Sequence, residues 1–189
     1  MGLGNVLFGR KKLKEPARDR LFALTTAAVT LDVGCGLKPA GVGALVFKPL
    51  SAGEFTQVDN DVEQLLQSVA AGSGSKLDRK KDTFGFEWVI VHDPELEDQV
   101  TAVYAVAQEF NERGFGAQLL AAVFRFEGGE HPVYWIYGFK TGTFWPFVPT
   151  GAKQERDNAR ELELKAKLEP ELPVEKDLSK WLALFDAPI

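Results

Sequence analysis

Apolar residues recur every three or four positions in some stretches of this chain and crowd or alternate in others, so helices and strands follow one another along it. Leu21, Leu24, Thr25 and Ala28 share one helical face, which predicts a helix from residue 18 to about residue 30 that Gly34-Cys35-Gly36 stops. Val42 to Lys48 reads as a strand. Asp59 or Asn60 is placed to cap a helix with Val62, Leu65, Leu66 and Val69 as its stripe. Ala71 to Ser75 and the charged run Lys76 to Asp82 have the composition of a mobile surface loop and an insertion point. Phe84 to Val91 reads as a half-covered central strand, ended by Asp93-Pro94.

The clearest helix follows, with Leu96, Val100, Val103, Ala107 and Phe110 on one face and Glu97, Asp98, Gln108 and Glu109 opposite. Leu119 to Phe126 and Val133 to Lys140 read as a hairpin turned by Gly128-Gly129. Thr143 to Phe147 is expected to be an edge strand, because Pro146 cannot donate to a ladder. Residues 154 to 168 predict a charged helix packed through Ala159, Leu162, Ala166 and Leu168. A final short helix capped by Asp177 would pin the chain with Leu178, Trp181, Leu182 and Phe185.

These elements imply an α+β fold, a mainly antiparallel sheet with flanking helices, in a single domain over residues 18–189 after a basic tail at residues 1–17. Leu21 to Phe47 and Val103 to Phe126 both run from helix through glycine turn to strand, a faint rhythm that suits a degenerate duplication or chance recurrence. The element order is similar to that of secretion chaperones, an analogy of fold that carries no function.

Composition narrows the function classes. With 189 residues, 45% of them apolar and 26% charged, the chain is long enough to bury a core. A net charge of -5 argues against a nucleic-acid surface, which needs clustered cations across a face. The single cysteine, Cys35, suits a reducing compartment, and His92 and His131 lack ligand-spaced neighbours, so neither a metal nor a cofactor is expected. No apolar run reaches spanning length and no signal peptide is visible, so the expected location is cytoplasmic, peripheral at the inner face of the membrane at most. The first residues run against the acidic average. Leu3, Val6, Leu7 and Phe8 precede Arg10, Lys11, Lys12, Lys14, Arg18 and Arg20, with only Glu15 and Asp19 among them. Such a segment suits an anionic membrane or an acidic partner, each cation adding ~1 kcal/mol near charged lipid. The plainer reading is a tail folded on its own domain.

Candidate chemistry is sparse. Leu31-Asp32-Val33-Gly34-Cys35-Gly36 resembles the glycine loop of S-adenosylmethionine-dependent methyltransferases, with Asp59 near the ribose-binding position, and this is the alternative function. Lys38 stands where the third glycine belongs, and Pro39, Gly41, Gly43 and Pro49 disfavour the helix that should follow. Cys35 reads as a buried thiol, and His92-Asp93 as a turn rather than an acid–base pair. The aromatic cluster from Tyr134 to Phe147 reads mainly as core, with Lys140, Thr143 and Trp145 at a rim where a partner could bind.

Several blocks taken together are similar to the PspA-associated family called PspAB. They include Met1-Gly2-Leu3 through Gly9-Arg10, Leu21-Phe22-Ala23-Leu24 and the Ala27 to Leu31 run. Gly85-Phe86-Glu87-Trp88, Gly114 to Leu120, Gly142 to Phe147, Arg156-Asp157-Asn158-Ala159 and Leu172 to Ser179 complete them, so the likeness covers nearly the whole chain. What the resemblance implies is an intracellular, non-enzymatic accessory protein of the phage-shock membrane-stress response, with a PspA-like partner and no defined catalytic residue.

Overall fold

The computed structural model describes residues 19–49, 64, 66–72, 74–151 and 154–189. The basic tail, the cap at Asp59 or Asn60, and the stripe positions Val62 and Leu65 lie outside those residues. Six strands form one sheet in the order β2-β3-β1-β4-β5-β6, every neighbouring pair antiparallel. They are β1 (Lys38–Phe47), β2 (Lys76–Lys81), β3 (Glu87–His92), β4 (Leu119–Glu127), β5 (Val133–Gly138) and β6 (Thr143–Phe147). The α+β class expected from the sequence is the class observed.

The first helical segment, α1, winds through a tight turn (Arg20–Phe22), an α turn (Ala23–Thr26) and a wide π turn (Thr30–Gly34). It runs past residue 30 because Leu21, Leu24, Ala27 and Leu31 keep one buried face at steps of three and four. Gly36, at φ 69°, ends it in the left-handed conformation usual after a helix. The strand then starts at Lys38 rather than Val42. A register irregularity between Pro39 and Gly43 lets a proline and two glycines enter a ladder that Val42 to Phe47 sustain.

The expected loop at Lys76 to Asp82 is instead the edge strand β2, paired with β3 from Lys76↔His92 to Lys81↔Glu87. Five charged residues in six make it look like a loop, yet charge on an outer strand is what discourages pairing between molecules. Ser75, also assigned to that loop, is buried and donates to Asp93 Oδ2 at 2.8 Å.

Register places Leu45, Val91, Phe124, Trp135 and Phe144 on one face of the sheet and Val46, Ile90, Val123, Ile136 and Trp145 on the other. Helix α2 (Leu96–Glu112) lies over the first face and buries Leu96, Val100, Val103, Ala107 and Phe110 as its periodicity requires. Phe110 meets Phe47 edge-on at 4.7 Å, and α1 packs beside α2 through Phe22 and Tyr104. Each large side chain buried here contributes about 1.5–3 kcal/mol.

The segment Trp181 to Ile189 crosses the second face. Phe185 packs edge-on against Phe147 at 5.1 Å, Tyr134 donates to the Ile189 carbonyl, and Lys80 reaches the Pro188 carbonyl from β2. The expected final helix is only a short turn (Leu178–Lys180) capped by Asp177. Trp181 alone is buried, while Leu178 and Leu182 face solvent.

Helix α3 (Asn158–Leu168) turns only Leu168 of its expected stripe inward. It buries Glu161, Leu164 and Leu168, whereas Ala159, Leu162 and Ala166 are exposed. The carboxylate of Glu161 is drawn inward by partners described below.

Gly43 sits where α2 packs over β1, beside Phe124 and Gln99. A Cβ there would lie 2.9 Å from the ring of Phe124, which is fully buried, while Gln99 of α2 at 3.5 Å is in ordinary contact, so the ring must shift. Gly43→Ala is expected to lower stability by about 1–3 kcal/mol. Thermal unfolding should show this as a drop of roughly 2–4 °C for each kcal/mol; an unchanged midpoint would contradict the packing described.

Candidate functional site

The aromatic rim expected around Lys140, Thr143 and Trp145 lies at the β6 edge. Pro146 leaves this strand without a donor at its centre, and residues after α3 supplement the ladder. Phe144 donates its N–H to the Pro173 carbonyl, and its own carbonyl accepts from Glu175 N–H, both within 2.9 Å. Chain 173–175 therefore covers part of the open edge, which leaves less backbone free for pairing.

Side chains lock this arrangement. Glu175 is buried and accepts from the Thr143 hydroxyl at 3.1 Å, while the Trp181 indole N–H donates to the Glu175 carbonyl at 2.9 Å. The Trp145 indole N–H donates to the Leu182 carbonyl at 3.0 Å. The two indoles thus fix two carbonyls, those of Glu175 and Leu182, of the chain after α3.

Arg156 and Glu161 sit at the centre. Nε of Arg156 lies 2.9 Å from both carboxylate oxygens of Glu161, and its other nitrogens donate to the carbonyls of Trp181 and Pro146. The guanidinium also stands over the Phe147 ring, 5.1 Å from its centroid. Glu161 accepts a further bond from Val148 N–H at 2.8 Å. Burial pushes the Glu161 carboxyl above its ordinary range, and the bonds from Arg156 and Val148 pull it part of the way back. An ion pair with its hydrogen bonds satisfied this fully can persist inside a protein, whereas either charge alone would be costly.

On the other side of α3, the end of α1 is fastened by its carbonyls. Arg160 donates to the Cys35 carbonyl at 2.8 Å, Lys167 donates to the Gly34 carbonyl at 3.0 Å, and the Thr30 hydroxyl donates to Glu171. Glu163 lies between Lys167 and Arg160, at 2.9 and 2.8 Å. Their donors hold its carboxyl at about 2, below the ordinary 4.5. Cys35 is buried, and desolvation pushes its thiol up, the opposite of what a nucleophile needs. A cleft of about 110 Å³ nearby is lined by Leu37, His131, Val133, Asp157 and Arg160 among others, well below the roughly 300–1,000 Å³ of small-molecule sites.

The alternative methyltransferase geometry is overturned here. Thr30–Gly34 is helical instead of a strand end, and the chain after Gly36 enters the antiparallel β1 instead of a helix aimed at a ligand. Asp93 is a turn residue that accepts from Glu95 N–H and Ser75, while His92 contacts Asp78 at 3.0 Å.

Among the residues expected at a site, Thr143 and Trp145 share a sheet face and are tied through Glu175 and Leu182 to one segment. Trp145 is buried and Lys140 is exposed in the turn before β6. Arg10, Lys11, Lys12 and Lys14 lie outside the described residues. Sequence reasoning missed Arg156, Glu161, Glu175 and Trp181 as one network. The only local hint was an arginine five residues before a glutamate that falls on the buried side of α3.

A family model described as PspA associated protein B matches residues 1–189. No curated protein and no solved structure matches the chain. Among the described residues, no helix is long and apolar enough to cross a membrane.

Two measurements test this geometry. Arg156→Met strands the Glu161 charge and should cost about 3–5 kcal/mol in urea unfolding, more than Arg156→Met combined with Glu161→Leu; equal losses would contradict the pairing. Glu163 titrates lower in the fold than in the unfolded chain, so its contribution is present above pH 4.5 and fades as pH falls toward about 2. The melting-temperature advantage of the native chain over Glu163→Gln should disappear across that window, and an advantage that persists at its lower end would count against the assigned partners.

Proposed function

The chain belongs to the PspA associated protein B family, and from that membership we propose that it acts as a non-enzymatic accessory protein that binds a PspA-like partner and contacts anionic membrane from the cytoplasmic side. The family match over the full length of the chain carries this reading. Two features support its finer parts. Arg10, Lys11, Lys12 and Lys14 concentrate positive charge on a chain whose net charge is -5, as attraction to anionic lipid or an acidic protein surface requires. At the β6 edge, exposed Lys140 and half-buried Thr143 offer polar groups that a protein partner could meet, while the aromatic side chains behind them are core.

The test compares the full chain with a variant carrying Arg10→Gln, Lys11→Gln, Lys12→Gln and Lys14→Gln. Capture of a PspA-like protein and co-sedimentation with vesicles containing phosphatidylglycerol are both measured at low salt. Removing four cations near a charged surface should weaken vesicle binding by at least roughly tenfold. If the native chain captures no PspA-like protein, the partner assignment fails. If the variant binds vesicles as the native chain does, the role of the basic segment fails.

A further inference from the structure

Away from its buried stripe, α2 is acidic. Glu97, Asp98 and Glu112 are exposed, Glu109 is half-buried, and Glu95 stands exposed just ahead of the first turn. Arg113, at the end of the helix, is paired with Glu109 at 2.7 Å. Cations on neighbouring elements do not make up the difference. Arg20 of α1 follows Asp19, and Lys48 stands past the end of α2, where its backbone N–H donates to the Gln118 carbonyl. Among the described residues, Glu97, Asp98 and Glu112 form no ion pair. The helix dipole favours acids in the first turn and cations in the last. Glu97 and Asp98 obey this, whereas the last turn holds Glu109 and Glu112 and no cation. Packing within the fold gives no reason for Glu112, which positive charge arriving from outside the helix would stabilise.

The described chain begins at Asp19, and it begins against this helix. The Tyr104 hydroxyl donates to the Asp19 carboxylate at 3.0 Å, and the Phe22 and Tyr104 rings meet at 5.0 Å. Immediately before Asp19 come Arg10, Lys11, Lys12, Lys14 and Arg18, with Glu15 the one acid among them. Tyr104 lies midway along α2, so Glu97 is ~10 Å from it along the axis and Glu112 ~12 Å in the other direction. Residues 10–18 span up to ~30 Å when extended, which brings every acid of the outer face within reach.

We propose that the outer face of α2 is the docking surface of the chain's own basic segment, residues 10–18, which leaves it when a more strongly anionic surface competes. Charge and the point of entry both select this occupant, because the segment's cations are delivered at Tyr104 onto a face with excess acid. The inference rests on the membrane contact proposed above and supplies its regulation: the same cations serve α2 and lipid, so docking withholds them from the leaflet. Exposed ion pairs are individually weak and screened by salt, whereas a charged leaflet attracts every cation near it. Release therefore needs no rearrangement of the folded domain.

The first test uses the native full chain at low salt without vesicles. A carbodiimide condenses a lysine amine with a touching carboxylate, expelling water, and the joined peptides are mapped by mass spectrometry. Lys11, Lys12 or Lys14 should be joined to Glu97, Asp98, Glu109 or Glu112, and high salt should abolish the product. Absence of these products, or joining to acids elsewhere on the domain, overturns the docking. The second test compares Glu97→Gln with Asp98→Asn and Glu112→Gln against a control that removes as many charges away from α2, Glu130→Gln with Glu155→Gln and Glu169→Gln, both checked for an unchanged melting temperature. Trypsin should cut residues 10–18 of the α2 variant at least roughly threefold faster than those of the control, and the α2 variant should bind phosphatidylglycerol vesicles at least roughly threefold more tightly. Equal cleavage of the two overturns the docking whatever the vesicles show. Faster cleavage of the α2 variant with no vesicle binding by any chain supports the docking and overturns the membrane contact.

Discussion

The arrangement on the outer side of the β6 edge depends on one ion pair, a buried carboxylate held by a half-buried guanidinium. Arg156 and Glu161 come from the start of α3, yet between them they bind the end of β6 at Pro146 and Val148, the Phe147 ring, and the Trp181 carbonyl of a segment with almost no regular structure. Neither charge is stable in that place without the other. The cost of burying both is offset by donors and acceptors that leave the carboxylate and guanidinium well partnered, and the pair converts that cost into a fixed position for chain that has no helix or strand of its own.

Behind the pair stands a sheet whose two faces are closed by different means. Helices α1 and α2 cover one face through the periodic apolar stripes usual for helix on sheet, and Gly43 brings α2 close. The other face is crossed by Trp181 to Ile189, and side chains of Trp145, Tyr134, Lys80 and Arg156 seize the carbonyls of that segment. Bonds to carbonyls do not specify which side chains the segment carries. Leu182 is therefore free to face outward while its backbone is held, and this separates the fold's requirement from the surface the protein displays.

Most of the architecture was legible in the sequence, and the exceptions share a cause. Helix α2, the β4–β5 hairpin, the proline-bearing edge strand and the antiparallel sheet follow from local periodicity and turn residues. Strand β2 was read as a loop because its residues are charged, although an edge strand exposes most of its side chains and needs little apolar character. Helix α3 meets its expected stripe only at Leu168, because Ala159, Leu162 and Ala166 look like core yet face solvent. Glu161 is buried only because Arg156 and Val148 await it, a tertiary fact that no window of α3 contains. The final segment reads as an apolar pin, and Trp181 and Phe185 do pack inward, whereas Leu178 and Leu182 face out and carbonyl bonds, invisible to side-chain patterning, add to the hold. The candidate site was legible to a similar degree. Thr143 and Trp145 belong to the edge network as anchors, whereas its centre lies in residues whose partners are distant in the chain.

Hydrogen exchange measured residue by residue on Arg156→Lys tests the central claim most directly, because lysine keeps the charge but cannot reach the carboxylate and two carbonyls together. The account predicts at least roughly tenfold faster exchange at the amides of residues 178–189, with β1, β4 and β5 unchanged. Unaltered protection in that segment, or a uniform loss across the whole sheet, would contradict it.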